Sequence, residues 1–167
     1  MKSIAELCKK HGSDKYEHGY CKYYDKYFAE YRDKDIMLCE IGVDRGCSIQ
    51  VWLDYFPSAG IIGMDIGEQP FEHERFSFQQ GDQGNWLSLP MGPFDIIIDD
   101  GSHKTLHILQ TIAVMYDSLK VDGLYVIEDL ATRRAKGARK LLKKMDKRIF
   151  DVLEFTDTLW IGRKCIS

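Results

Sequence analysis

The sequence predicts an α/β fold: an open, mostly parallel seven-stranded sheet with an antiparallel hairpin at its C-terminal end and a helical N-terminal leader. Three observations predict it. Short apolar runs alternate with longer segments whose apolar residues recur at helical spacing. The runs IMLCEIGV (36–43), GIIGMDI (60–66) and FDIIID (94–99) are almost continuously apolar, the pattern of parallel strands covered by helices on both faces. The last two runs, IFDVLEF (149–155) and TLWIGRK (158–164), are joined by only Thr156 and Asp157, which fits a hairpin and leaves no room for a crossover helix.

Residues 1–35 form the leader, rich in tyrosine (Tyr16, Tyr20, Tyr23, Tyr24, Tyr27, Tyr31). Residues 36–167 supply the sheet, with leader and sheet in one structural domain. Two further strands fall at 76–80 and 123–129. Helices are expected over 48–56, 103–119 and 132–145, where strand–helix–strand order implies right-handed crossovers. A parallel sheet closed by an antiparallel hairpin is the Rossmann-like arrangement of class I methyltransferases.

Composition bounds the function. The 167 residues suffice for one proper core, and 44% hydrophobic with 29% charged residues is ordinary globular usage. A net charge of −3 argues against general nucleic-acid affinity. Cys8, Cys21, Cys39, Cys47 and Cys165 include no CxxC pair and read as reduced thiols without a zinc site. The N-terminus MKSIAELCKKHGSD is too polar for a signal peptide, and no apolar run approaches the ~20 residues that cross a bilayer. These features point to a cytoplasmic protein without membrane insertion; a homo-oligomer is compatible with them, though no interface is legible.

Open α/β sheets bind ligands beyond the carboxyl ends of their strands. The first such end reads Glu40-Ile-Gly-Val-Asp-Arg-Gly46, where Gly42 and Gly46 permit a tight turn and Glu40 offers a carboxylate. Asp44 replaces the middle glycine of the dinucleotide fingerprint GxGxxG. An inserted carboxylate repels a pyrophosphate but suits a cationic ligand such as S-adenosylmethionine. At the second end, Asp65 is placed to accept hydrogen bonds from a ribose diol. At the third, Asp82 or Gln83 could meet an adenine amino group. Read individually, these residues are equally compatible with solvated loop carboxylates and a plain turn.

The fourth and fifth ends carry Asp99-Asp100-Gly-Ser-His103 and Glu128-Asp129. Adjacent strand ends lie ~5 Å apart, so these acids must share protons or a divalent cation. Oxygen-only ligands favour Mg²⁺. Because side chains alternate along a strand, one of Asp99 and Asp100 reaches the ion, and Asp100 is the choice, with Glu128 and Asp129. His103 is the general-base candidate, and a metal lowers the pKa of a hydroxyl that His103 deprotonates. The simpler alternative is that Asp99 or Ser102 caps the following helix, with His107 structural.

The segments GSDKYEHGY (12–20), EIGVDRGCSIQVW (40–52), FDIIIDDGSH (94–103) and GLYVIEDL (123–130) resemble the metal-dependent sugar O-methyltransferases of macrolide biosynthesis, a family that also holds cephalosporin hydroxylase-like proteins. The resemblance implies a class I fold and S-adenosylmethionine as donor. It implies Mg²⁺ on Asp100, Glu128 and Asp129, and His103 as base toward a sugar hydroxyl, with Asp100 beside it in catalysis. It also implies a leader over the donor pocket, with Lys15, His18 and Tyr20 as its polar positions. The donor set is then Lys15, Glu40, Gly42, Gly46, Ser48, Asp65, Asp82, Gln83 and Asp99. After Asp129 the chain departs from the family: LATRRAKGARK stands where relatives carry Thr-Ser and aromatic residues, so the acceptor transfers least. The basic stretch 133–148 reads as a solvated face or as a contact for a phosphorylated sugar. A small-molecule or glycan acceptor is expected, with a catechol-type methyltransferase or a non-catalytic S-adenosylmethionine- or nucleoside-binding module as the alternatives.

Overall fold

A computed structural model describes residues 2–165. Among them, seven strands form one sheet: β1 (Met37–Ile41), β2 (Gly60–Asp65), β3 (Phe76–Gln80), β4 (Phe94–Asp99), β5 (Leu119–Ile127), β6 (Phe150–Phe155) and β7 (Trp160–Lys164). Their order is β3-β2-β1-β4-β5-β7-β6. The first five strands run parallel, and β7 inserts antiparallel between β5 and β6. The helices are α1 (Ile4–His11), α2 (Cys21–Phe28), α3 (Cys47–Tyr55), α4 (Thr105–Met115) and α5 (Lys136–Leu142). No helix of the described residues is long and apolar enough to cross a membrane.

Strand parity divides the interior into two cores. Leu38, Ile96, Ile98, Leu124 and Val126 face the leader and α3, where Tyr24, Phe28 and Trp52 pack against them. Cys39, Ile97, Tyr125, Ile127 and Trp160 face the other way, toward Ile108 and Met115 of α4 and Ala138 and Leu142 of α5. The leader thus shares its core with the sheet. It is also tied polar-to-polar: Ser3 caps α1 in a reciprocal box with Glu6, Ile4 N donates to Asp25 Oδ1 (2.8 Å), and Lys10 pairs with Asp54 of α3 (2.6 Å).

Three boundaries differ from the sequence expectation. Helix α4 starts at Thr105 and stops at Met115, so 119–122 belong to β5. The ammonium of Lys164 explains the stop, since it donates to the carbonyls of Tyr116 (2.7 Å) and Leu119 (2.8 Å) where the helix ends. The basic segment yields only a 3₁₀ turn over 133–135, capped by Thr132, and the short α5. The β6–β7 link spans 156–159, closed by Thr156, whose N donates to Leu159 O.

The chain winds from β1 outward to β2 and β3, then restarts at β4 on the other side of β1. Ligands bind at such a switch point, where the two flanking loops diverge and leave a crevice. Here the two loops interlock: Asp100 N donates to Ile41 O and Gly42 N to Met64 O, both at 2.8 Å. Gly42 sits at φ 90°, and a Cβ there would stand 2.1 Å from the carbonyl oxygen of Asp100. Replacing Gly42 with Ala is expected to cost at least ~2 kcal/mol in urea unfolding, through backbone strain and a forced shift of the β4 end. An unchanged midpoint contradicts this close approach.

Candidate active site

At the switch point lies a cleft of about 510 Å³. Its wall is built from the leader turn (Gly12–Lys15), the β1–α3 loop (Gly42–Arg45) with Cys47 and Ser48, Asp65 and Ile66 after β2, Gly81–Gln83 after β3, Asp100–Lys104 after β4, and Asp129 after β5. Asp44, His103 and Asp129 hold positive φ (46°, 54° and 56°) without being glycine, and all three line the cleft. Strain of this kind concentrates where a side chain must be aimed.

Parity sorts the acids. Glu40, Asp100 and Glu128 continue the leader-facing rows of β1, β4 and β5, and Asp99 continues the α4-facing row. The first three offer carboxylate oxygens within 4.8 Å of one another. Into their midst the leader delivers Lys15, whose side chain is 1% exposed. Its Nζ donates to Glu128 Oε1 (2.7 Å) and Asp100 Oδ2 (2.8 Å) and lies 3.3 Å from Glu40 Oε1. Tyr24 Oη also donates to Glu128 Oε1, and Trp52 Nε1 donates to Glu40 Oε2 (2.8 Å).

These environments set the charges. Burial lowers the Lys15 ammonium's hold on its proton, but the charges of Asp100, Glu128 and Glu40 outweigh it and raise its pKa well above the ordinary value. Burial and the Asp100 charge push Glu128 well above the usual carboxylate range, against Lys15 and Tyr24. Burial likewise raises Glu40, opposed by Lys15.

A second, open cluster lies beside the first. Asp100, His103 and Asp129 present ligand atoms within 4.8 Å of one another, all partly exposed. His103 Nε2 stands 3.6 Å and His18 Nδ1 3.5 Å from the two oxygens of Asp129. Tyr20 fixes Asp129 at both ends: its Oη donates to Asp129 Oδ1 (2.8 Å) and accepts from Asp129 N (3.2 Å).

The donor-end residues divide. Gly42, Ser48, Asp65, Asp82, Gln83 and Lys15 line the cleft; Glu40, Gly46, Asp99 and Glu128 lie behind its wall. Asp65 serves the glycine turn itself, with Oδ2 accepting from Val43 N (2.8 Å) and Asp44 N (3.0 Å) and Oδ1 from Gly67 N (2.8 Å). Burial opposes its ionisation, yet those amides hold it below the usual range. Gln83 is a bridge: Nε2 donates to Asp99 Oδ1 (2.7 Å) and Thr111 Oγ1 (3.1 Å), while Oε1 accepts from Ser102 N (2.8 Å). Neither Asp99 nor Ser102 caps α4, whose N-cap is Lys104 without a side-chain bond. His107 Nδ1 lies 2.9 Å from Ser102 Oγ, bracing the same turn. Tyr24 and Trp52 carry polar roles that the sequence did not single out; only the acids they serve were conspicuous.

No protein-family model matches the chain. It is 36% identical over 143 residues to the 8-demethyl-8-alpha-L-rhamnosyl tetracenomycin-C 2'-O-methyltransferase of Streptomyces olivaceus, covering 77% of this chain and 38% of that protein. It is 34% identical over 144 residues to the mycinamicin VI 2''-O-methyltransferase of Micromonospora griseorubida, covering 77% of this chain and 36% of the relative. Among solved structures, MycE methyltransferase from the mycinamycin pathway, in complex with Mg, SAH and mycinamycin VI, superposes with a TM-score of 0.88 at 28% identity, over 98% of this chain and 55% of that one. The fold is therefore that of class I methyltransferases, and the chain spans under two fifths of the curated relatives it matches.

The Asp99 carboxyl, ordinarily at 3.8, is pushed up to about 7 by burial, against hydrogen bonds from Gly101 and Gln83 and with help from the Asp100 charge. The folded state thus keeps this proton to higher pH than the unfolded chain. The group's stabilising share is complete below about pH 4 and is lost as pH rises toward about 7. Replacing Asp99 with Asn removes that loss, so the variant gains on the wild type by up to ~1.4 kcal/mol per pH unit across this window. Urea midpoints measured through it check this; parallel profiles contradict it.

Proposed function

We propose that the chain forms an S-adenosylmethionine- and Mg²⁺-dependent O-methyltransferase acting on a sugar hydroxyl of a glycosylated small molecule or glycan, within the macrolide-sugar O-methyltransferase and cephalosporin hydroxylase-like family. The observation that carries the reading is the open Asp100–His103–Asp129 cluster at the end of a glycine-turn cleft, in a fold that matches a methyltransferase holding Mg and SAH. The relatives, one an O-methyltransferase of a rhamnosyl tetracenomycin-C and one of mycinamicin VI, support the acceptor class.

The residues present fit both groups. Oxygens of Asp100 and Asp129 are open and converge, which suits a hard divalent ion. Glu128 engages Lys15 and Tyr24 through Oε1, so the reading gives its Oε2 the third carboxylate contact. Asp14, Asp44, Asp65, Asp82, Asp100 and Asp129 outnumber Lys15, Arg45 and Lys104 on the wall, a field that favours a sulfonium. When bound, Mg²⁺ supplies a charge that lowers the acceptor hydroxyl's pKa, and S-adenosylmethionine supplies the methyl group.

The chain's own residues do the rest. His103 takes the hydroxyl proton at Nε2, where the facing Asp129 carboxylate stabilises the imidazolium. Tyr20 keeps Asp129 from turning away. Ser102, held by Gln83 and His107, fixes the strained turn that aims His103. The leader supplies the Gly12–Lys15 edge of the cleft. Five free thiols fit a reducing, cytoplasmic setting.

The test is methyl transfer from labelled S-adenosylmethionine to a panel of rhamnosides and catechols. Turnover on rhamnosides is expected, with loss on chelation and recovery on adding Mg²⁺. Replacing His103 with Ala is expected to lower turnover by ~10²–10⁴-fold while SAH binding by calorimetry is retained. Catechol turnover alone would move the acceptor class. Full donor binding with no metal dependence and no product would reduce the protein to a binding module.

A further inference from the structure

We infer that Lys15 is a positioning residue of the ion site, a resident ammonium that holds Asp100 and Glu128 by one oxygen each and balances Glu40 behind them. The inference rests on the enzyme reading above and reassigns Lys15 from the donor to the acids. An ammonium has three N–H donors. Two are used at 2.7 and 2.8 Å on Glu128 and Asp100, and the third faces Glu40 at 3.3 Å. None is left for the carboxylate of a bound donor.

The delivery of this cation is built with care. Its own backbone is pinned between α1 and α2: Lys15 O accepts from Tyr20 N (3.0 Å) and from the Cys21 thiol (3.6 Å), and Ser13 N donates to Cys8 O (3.0 Å). Each buried acid has one neutral donor of its own, Tyr24 on Glu128 and Trp52 on Glu40, but the positive charge is shared by all three. Without it, three carboxylates converge within 4.8 Å with no cation. With it, the space between Glu40, Asp100 and Glu128 is closed to a divalent ion, which is confined to the exposed side, where Asp100 and Asp129 converge and Glu128 presents Oε2. The leader thereby sets where the ion sits.

The experiment compares wild type, Lys15→Met and Lys15→Met/Glu40→Gln by thermal unfolding, with and without Mg²⁺, alongside Mn²⁺ calorimetry of the wild type. Metal-free Lys15→Met is expected to melt about 10 °C below wild type, as when one partner of a buried ion pair is removed. Mg²⁺ is expected to raise its Tm more than that of the wild type, because the ion replaces the missing charge. Glu40→Gln, which removes one of the stranded carboxylates, is expected to recover at least about half of the loss. Should Lys15→Met fail to fold, folding of the double variant, or of the single variant in Mg²⁺, supports the inference. An unaltered metal-free Tm, or a loss that neither Mg²⁺ nor Glu40→Gln relieves, overturns it, since the role is then packing or donor contact. Absence of Mn²⁺ binding by the wild type sinks the enzyme reading instead, and the metal-free comparison with Glu40→Gln still decides the role of Lys15.

Discussion

One buried ammonium among three carboxylates is the constraint on which the rest of this structure turns. Removing two or three charges from water costs several kcal/mol each, and the cost is recovered only where geometry and counter-charge are both good. Here the geometry comes from the sheet, which lines up Glu40, Asp100 and Glu128 on one face by simple alternation. The counter-charge comes from outside the sheet, on a turn between two leader helices. The leader and the C-terminal ends of the central strands are therefore stabilised together. A leader that peeled away would strand the acids, and strand ends that lost their acids would strand the lysine.

The same parity explains the division of labour between Asp99 and Asp100. Adjacent in sequence, they point to opposite faces, one into a neutral hydrogen-bonded bridge with Gln83 and the other toward charge and solvent. Asp99 and Gln83 tie the loop after β3 to the turn that carries His103, so the two ends of the cleft are mechanically joined. Three of the four non-glycine residues with positive φ among the described residues fall in the cleft where such ties act; the fourth, Asp122, lies in β5. Asp44 is held by Asp65, Asp129 by Tyr20, and His103 follows Ser102, itself braced on both sides. Strain of ~1–3 kcal/mol per residue persists only when surroundings over-determine it, and each of these positions is so determined.

Much of this was legible in the sequence. The apolar runs fixed strand identity, and the hairpin followed from a link too short for a helix. The acids at five strand ends stood out because a carboxylate closing an apolar run has few structural reasons to be there. What was hidden is what depends on contacts distant along the chain. The partner of Glu128 lies 113 residues away on the leader, and nothing local to either residue encodes their meeting. The polar work of Tyr24 and Trp52 was masked by their value as core aromatics. Gln83 is a candidate for an adenine contact by its place at the third strand end, whereas its amide bonds to Asp99, Thr111 and Ser102. The end of α4 was misplaced because its stop signal is Lys164, 45 residues beyond Leu119.

The most direct test of the account is a crystal grown with SAH and Mn²⁺, examined by anomalous scattering at the manganese edge. A single ion touching Asp100, Asp129 and Oε2 of Glu128 is expected, with the Lys15 ammonium still seated between Asp100 and Glu128. An ion in the place of that ammonium, with the leader turn displaced, or no ion near these acids at all, would contradict it.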